Sequence, residues 1–148
     1  MEIKIHEIIV ELDINQTQQN VWDAMLNRLP EWWPADFVGF PGKGKVKFEP
    51  VAGGRLYEET EEGGQLMWGN VVGIYPGEAI EISSIVTPAF GGPSLNFIRM
   101  ALLGETGGVT KFRLSNTVMG HMSAEGEGSV TEGWQYLFGG LKTYCEAN

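Results

Sequence analysis

The sequence predicts an α+β domain: one curved antiparallel sheet gripping a long C-terminal helix. Three observations point there. Residues 129–146, SVTEGWQYLFGGLKTYCE, repeat apolar side chains at three- and four-residue spacings, which puts them on one helical face. Glycine- and proline-containing pairs recur between Gly44 and Gly120 at roughly regular intervals, the punctuation of consecutive hairpins. A shorter helical pattern follows the first strand-like segment. Helices set before and after a run of strands give an α+β layer rather than alternating βαβ units.

Met1 to Asp13 alternates, with Ile3, Ile5, Glu7, Ile9 and Glu11 against Lys4, His6, Ile8, Val10 and Leu12. This suits a strand whose apolarity changes face toward its end, through a bulge. Thr17 has the form of an N-cap, and Val21, Trp22, Met25, Leu26 and Leu29 form the apolar side of a helix that stops before Pro30. Residues 31–41 are dense in Trp32, Trp33, Phe37 and Phe40 and broken by Pro34 and Pro41, a short helical turn and loop. The pairs Gly53-Gly54, Gly63-Gly64, Pro76-Gly77, Gly91-Gly92 and Gly107-Gly108 then separate strands expected at 45–49, 55–59, 65–75, 79–85, 94–103 and 109–118. Glycine supplies the positive φ that such turns need. Alternation sets Ile98, Met100 and Leu102 on one face with Arg99 opposite, and turns Phe112, Leu114 and Asn116 inward with Lys111 and Arg113 outward.

In the terminal helix Val130, Trp134, Leu137, Phe138, Leu141, Tyr144 and Cys145 share the apolar face, with Thr131, Gln135, Lys142 and Glu146 opposite. Ser129 followed by Glu132 reads as a capping box at its start. So broad an aromatic face needs a large apolar cover, and the sheet is the one available. Gly133 and Gly140 lie one above the other at the edge of that face and Gly139 on the far side. Each costs about 1 kcal/mol relative to alanine, so they serve close backbone packing or leave space for a ligand between helix and sheet.

At 148 residues the chain has the length of a single domain. Its net charge of −9 argues against general nucleic-acid binding and against adhesion to anionic lipid, both of which depend on basic surface. One cysteine leaves no internal disulfide, and the charged, alternating start has neither signal-peptide nor transit-peptide form. No apolar run reaches membrane-spanning length. The expectation is a cytoplasmic protein with no membrane insertion.

Little in the sequence points to chemistry. His6, His121 and Cys145 are the only imidazole or thiol ligands, and no two share metal-ligand spacing. No metal site, cofactor or catalytic residue is assigned. A nucleophile elbow and a phosphate loop are both absent, and Cys145 reads as a buried structural thiol. Glu58, Glu59, Glu61 and Glu62 crowd a hairpin beside Gly63-Gly64, where a solvated charge run is the expectation. His121 is placed in the loop before the last helix, exposed or in contact with a ligand.

Several stretches resemble a known superfamily. Residues 16–24, QTQQNVWDA, followed by Trp32-Trp33, resemble the opening of START-like proteins, which include polyketide cyclases, lipid-transfer domains and the birch pollen allergen. Gly53-Gly54-Arg55-Leu56-Tyr57, residues 69–76 (GNVVGIYP) and Gly133-Trp134-Gln135-Tyr136-Leu137 with Leu141-Lys142 are similar to the bacterial homologues of the activator of heat shock protein 90 ATPase. The resemblance spans most of the chain in the expected order. It implies a helix-grip fold with an apolar cavity between sheet and last helix. Relatives often carry a histidine where Asn116 stands here, so no activity depending on that histidine is implied.

The aromatic set supplies the candidate site. Trp33, Phe40, Tyr57, Trp68, Phe97, Met100, Phe112, Trp134 and Phe138 exceed what a sheet–helix pair needs if all point inward, and Asn116 would be the polar handle of a ligand-binding cavity; the alternative is that they fill the core. The function expected is binding of a small apolar or amphipathic molecule without chemistry. A co-chaperone-like interaction domain, with a chaperone partner, and a cyclase- or hydrolase-type enzyme using the same cavity are the alternatives.

Overall fold

A computed structural model describes residues 3–123 and 125–148. β1 (Lys4–Ile14) leads into α1 (Gln18–Asn27) and the single turn α2 (Leu29–Trp32). Six further strands follow: β2 (Lys45–Phe48), β3 (Arg55–Glu59), β4 (Gln65–Tyr75), β5 (Ala79–Val86), β6 (Ser94–Thr106) and β7 (Val109–Gly120). α3 (Gly126–Ala147) closes the chain. The strands form one antiparallel sheet in the order β1-β7-β6-β5-β4-β3-β2, so β2 to β7 is a meander and β1 joins at the far edge beside the last strand. The expected sheet around a terminal helix is the architecture observed.

Local chemistry explains most boundaries. Thr17 caps α1, its Oγ1 accepting from the Asn20 N–H at 3.2 Å, and Pro30 falls in the first turn of α2, where a missing N–H is tolerated. Each expected hairpin turn holds a glycine at positive φ: Gly53, Gly63, Gly77, Gly91, and Gly107 with Gly108.

Two expectations at the ends need correction. β1 runs in unbroken register with β7 from Lys4↔Gly120 to Ile14↔Thr110, so there is no bulge. Instead Ile8, Val10 and Ile14 face the core while Ile3, Ile5 and Ile9 lie on the outer face, exposed. Met1 and Glu2, included in the expected strand, lie outside the described residues. α3 begins at Gly126, with Glu125 at the N-cap position and no side-chain cap, so Ser129 and Glu132 sit inside the helix and are not a capping box. Glycines at 126 and 128 hide this first turn from a propensity reading; Glu127 there suits the positive end of the helix dipole.

The apolar face of α3 is as expected. Leu137, Phe138, Leu141 and Cys145 are buried against Val10, Ile14, Phe112 and Leu114 of the sheet and Met25 and Trp32 of the short helices. Phe112 and Phe138 pack with tilted rings 4.8 Å apart between centres in this layer. Gly140 answers the question its helix position raised. A Cβ there would lie 2.7 Å from the Trp32 carbonyl oxygen, so this glycine lets α2 approach the helix backbone. A Cβ on Gly139 would meet nothing within 4 Å.

Candidate functional site

Between sheet and α3, toward the loop that follows α2, lies a small interior cavity. Its walls come from all three layers: Leu29, Trp32 and Trp33 from the α2 region, Leu56, Trp68, Ile82, Ile98 and Met100 from the strands, and Trp134, Leu137 and Phe138 from α3. Every wall is apolar. The volume is about 30 Å³, room for a water molecule or so, whereas cavities that enclose small organic ligands span roughly 300–1,000 Å³. The roomy interior expected from the aromatic count is therefore largely filled by its own side chains.

The filling is aromatic and continuous. Trp33 contacts Phe37 at 5.9 Å and Trp68 at 5.3 Å between ring centres, both edge-on, and Phe37 stacks on Trp68 at 5.6 Å. Trp134 stacks on Phe138 at 5.9 Å. Phe37, Trp68 and Trp134 are only half-buried, so this cluster forms the boundary between cavity and solvent.

Of the expected site residues, Trp33, Trp68, Met100, Trp134 and Phe138 come together on the cavity walls. Phe112 is fully buried beneath Phe138, one layer deeper. Asn116 is buried too, but its amide is engaged. Its Oδ1 accepts from Trp134 Nε1 at 3.0 Å, and its Nδ2 donates to Asn96 Oδ1 at 3.1 Å. Asn96 passes the chain on to Ser94 Oγ at 3.1 Å. The expected polar handle thus fixes an indole in the cavity wall.

Three expected members are not brought to the cavity. Phe97 shares the outward face of β6 with Arg99 and is 47% exposed. Tyr57 also faces outward, with the Arg55 guanidinium 4.3 Å above its ring. Phe40 lies by the β3–β4 turn, where a Cβ on Gly64 would touch its ring. In each case the strand parity or loop position decides, against the general expectation that aromatic side chains turn inward.

Glu58 is the principal surprise. The expected solvated carboxylate has no exposed surface at all. Its Oε1 accepts from the Gly39 N–H at 2.6 Å and from Trp68 Nε1 at 2.9 Å, and its Oε2 from the Phe40 N–H at 3.1 Å. Three N–H donors are what a carboxylate out of water requires. Glu58 therefore ties the loop after α2 to the cavity wall. The signal was present in β3: Leu56 and Glu58 share a parity, so a buried Leu56 carries Glu58 inward. Gly44 agrees, since a Cβ there would sit 2.1 Å from Glu58 Oε2.

The other titratable groups lie elsewhere. His121 is half-buried just beyond β7, its backbone N–H bonded to the Pro93 carbonyl. Cys145 is buried at the far end of α3, and burial pushes its thiol up to about 11. A larger depression of about 300 Å³ opens on the surface between α1 and the end of α3. Its charges are matched locally, with Arg28 Nε on Asp23 at 2.9 Å and the Tyr144 hydroxyl on Glu31 at 3.0 Å. Among the described residues no group of three His, Cys, Asp or Glu is placed to hold a metal ion, and no helix is long and apolar enough to cross a membrane.

With this architecture the chain has the helix-grip fold of birch-pollen-allergen-like proteins. Solved structures of that shape match it nearly end to end. An uncharacterised protein of Rhizobium leguminosarum superposes with a TM-score of 0.75 at 16% identity, over 99% of this chain and 98% of its own. Ara h 8.0201 gives 0.73 at 13% identity, over 98% and 100%. A protein of unknown function from Staphylococcus aureus gives 0.72 at 14% identity, over 99% and 96%. At such identities the likeness is one of fold. No protein-family model matches the chain, and no curated protein matches it in sequence.

Proposed function

We propose that the protein binds a small apolar or amphipathic molecule between the sheet and α3, in the space its aromatic cluster now occupies. The observation that carries this reading is the composition of the cavity wall: eleven side chains from sheet, α2 region and α3, all apolar, with four indoles among them. Large aromatic rings supply much apolar contact area, and those at the end of this wall, Trp68 and Trp134, are only half-buried and border solvent. Binding requires Phe37, Trp68 or Trp134 to move outward, since about 30 Å³ admits no organic ligand as it stands. Among the described residues the cavity is lined by apolar side chains alone, which supports binding of an apolar molecule.

The resemblance of its motifs to the activator branch supports a second reading, that the chain is a bacterial homologue of that activator. Stimulation of a recombinant chaperone's ATPase would test the partner that this branch implies. The ligand-binding reading is tested by titrating an environment-sensitive apolar fluorophore and by native mass spectrometry of protein purified without detergent. Saturable uptake at one site, with quenching of tryptophan emission, is expected. A folded protein that takes up no probe and carries no bound molecule overturns the reading.

A further inference from the structure

The outer face of the sheet carries an apolar row that nothing among the described residues covers. The registers Ile5↔Met119, Leu95↔Met119 and Ile85↔Leu95 align four side chains across β1, β7, β6 and β5. Ile5 is 73% exposed, Ile85 72% and Leu95 39%. Ile3 and Ile9 extend the row along β1, and Phe97 lies beside it on β6, all three exposed. Isolated surface isoleucines need no explanation, but a contiguous row four strands wide does.

We propose that this face is the interface of a homodimer, in which two copies pack sheet against sheet about a two-fold axis running along the strands between β7 and β6. Two properties of the face favour a second copy over any other occupant. The first is area. At the observed exposures these side chains leave roughly 700–800 Å² of mostly apolar surface open, counting about 200 Å² for a fully exposed large side chain, which is close to the roughly 800 Å² per partner of a stable interface.

The second is charge. The chain carries −9 overall, yet almost none of it lies here. The next row is Glu7, Thr117, Phe97 and Ser83, with one charge. The row after that holds Arg99 and Glu81, which neutralise each other at 2.7 Å. Two like-charged chains can therefore meet on this face, while a basic partner would be steered elsewhere and an anionic membrane would repel the rest of the molecule. The axis is set by the same rows. Rotation about the β7–β6 boundary lays Ile5 of one copy over Ile85 of the other and Met119 over Leu95, so large side chains meet at both ends. It also lays Glu7 over Ser83 instead of over a second Glu7. Face-to-face sheets accommodate this with strands within about 30° of parallel.

Sedimentation equilibrium on the full chain between about 1 and 200 µM, a range reaching the weak end of specific association, decides the matter. The wild type is expected at twice 16.3 kDa. Ile85→Lys and Ile5→Lys should each halve that mass while keeping the wild-type circular dichroism spectrum, and Val51→Lys, at an exposed site off the sheet face, should leave the dimer intact. A mixture of Ile5→Cys and Ile85→Cys proteins should form a mixed disulfide faster than either alone forms a symmetric one. A monomer throughout the range, or a dimer indifferent to both lysines, overturns the proposal. Preferential Ile5→Cys self-pairing overturns its axis.

Discussion

Removing the Glu58 carboxylate tests how the cavity's mouth is held. In Glu58→Ala three donors lose their acceptor at once: the N–H groups of Gly39 and Phe40 and the Trp68 indole. Hydrogen bonds to a charged acceptor are worth about 1.5–3 kcal/mol each, but a loop freed from its anchor can turn its two backbone donors to water. The indole, held in the wall between Trp33 and Phe37, has less freedom. Relief of a buried charge offsets part of the loss. The net expectation is a destabilisation of about 2–4 kcal/mol. Glu58→Gln separates shape from charge. Its carbonyl oxygen can serve Gly39 and Trp68, but its NH₂ then faces the Phe40 N–H, donor against donor, for a cost of about 1–2 kcal/mol. Urea unfolding at neutral pH, followed by tryptophan fluorescence and far-ultraviolet circular dichroism, measures both. An alanine variant within about 1 kcal/mol of wild type would refute the argument that this carboxylate anchors the loop.

Further outcomes are expected. Gly139→Ala should stabilise the protein by about 0.5–1 kcal/mol, because its Cβ points into open space. Gly140→Ala should destabilise it by about 1–2 kcal/mol, because crowding against the Trp32 carbonyl outweighs the same helical gain; thermal melts of the pair check both signs. Thr17→Ala should cost about 1 kcal/mol in the same assay through the lost cap on Asn20. Cys145 ionises near 9 when unfolded and near 11 when buried, so its contribution is complete below pH 9 and is lost as pH rises through 11; thiol labelling of native protein at pH 8 should proceed only at the rate of opening. Glu49, held down to about 2 by Arg55, contributes stability present above pH 4.5 and lost as pH falls toward 2. Arg55→Gln should flatten that part of the acid-unfolding profile.

The fold was legible because its signals are local and repeated. Turn glycines and alternation fix β3 and β4 to the residue, and the three- and four-residue spacing from Trp134 to Cys145 fixes the buried face of α3. The site was legible only in part. Trp33, Trp68, Trp134 and Phe138 sit where an inward-facing aromatic set would, but Phe97 and Tyr57 obey strand parity instead. Arg99 and Arg55, two residues away on the same faces, already marked those directions. The occupancy of the interior was not legible, since a count of rings says nothing about how closely they interlock. Glu58 reads as solvated because four acidic residues near a turn suggest solvent, and only partners nearly twenty residues earlier, Gly39 and Phe40, make its burial possible. The strand at β1 is legible, but with isoleucines on both faces its alternation suggests a bulge that the unbroken register with β7 rules out, and it cannot show which face stays open.

The pairing of the first strand with the last has a consequence for synthesis. Lys4 meets its partner only when Gly120 exists, so the N-terminal segment must wait on the ribosome while five hairpins form beside it. Contacts of such long sequence separation make for slow folding. During that delay the isoleucines of residues 3–14 have neither β7 nor α3 to shelter them, which makes the nascent chain, more than the finished protein, the state most in need of a chaperone.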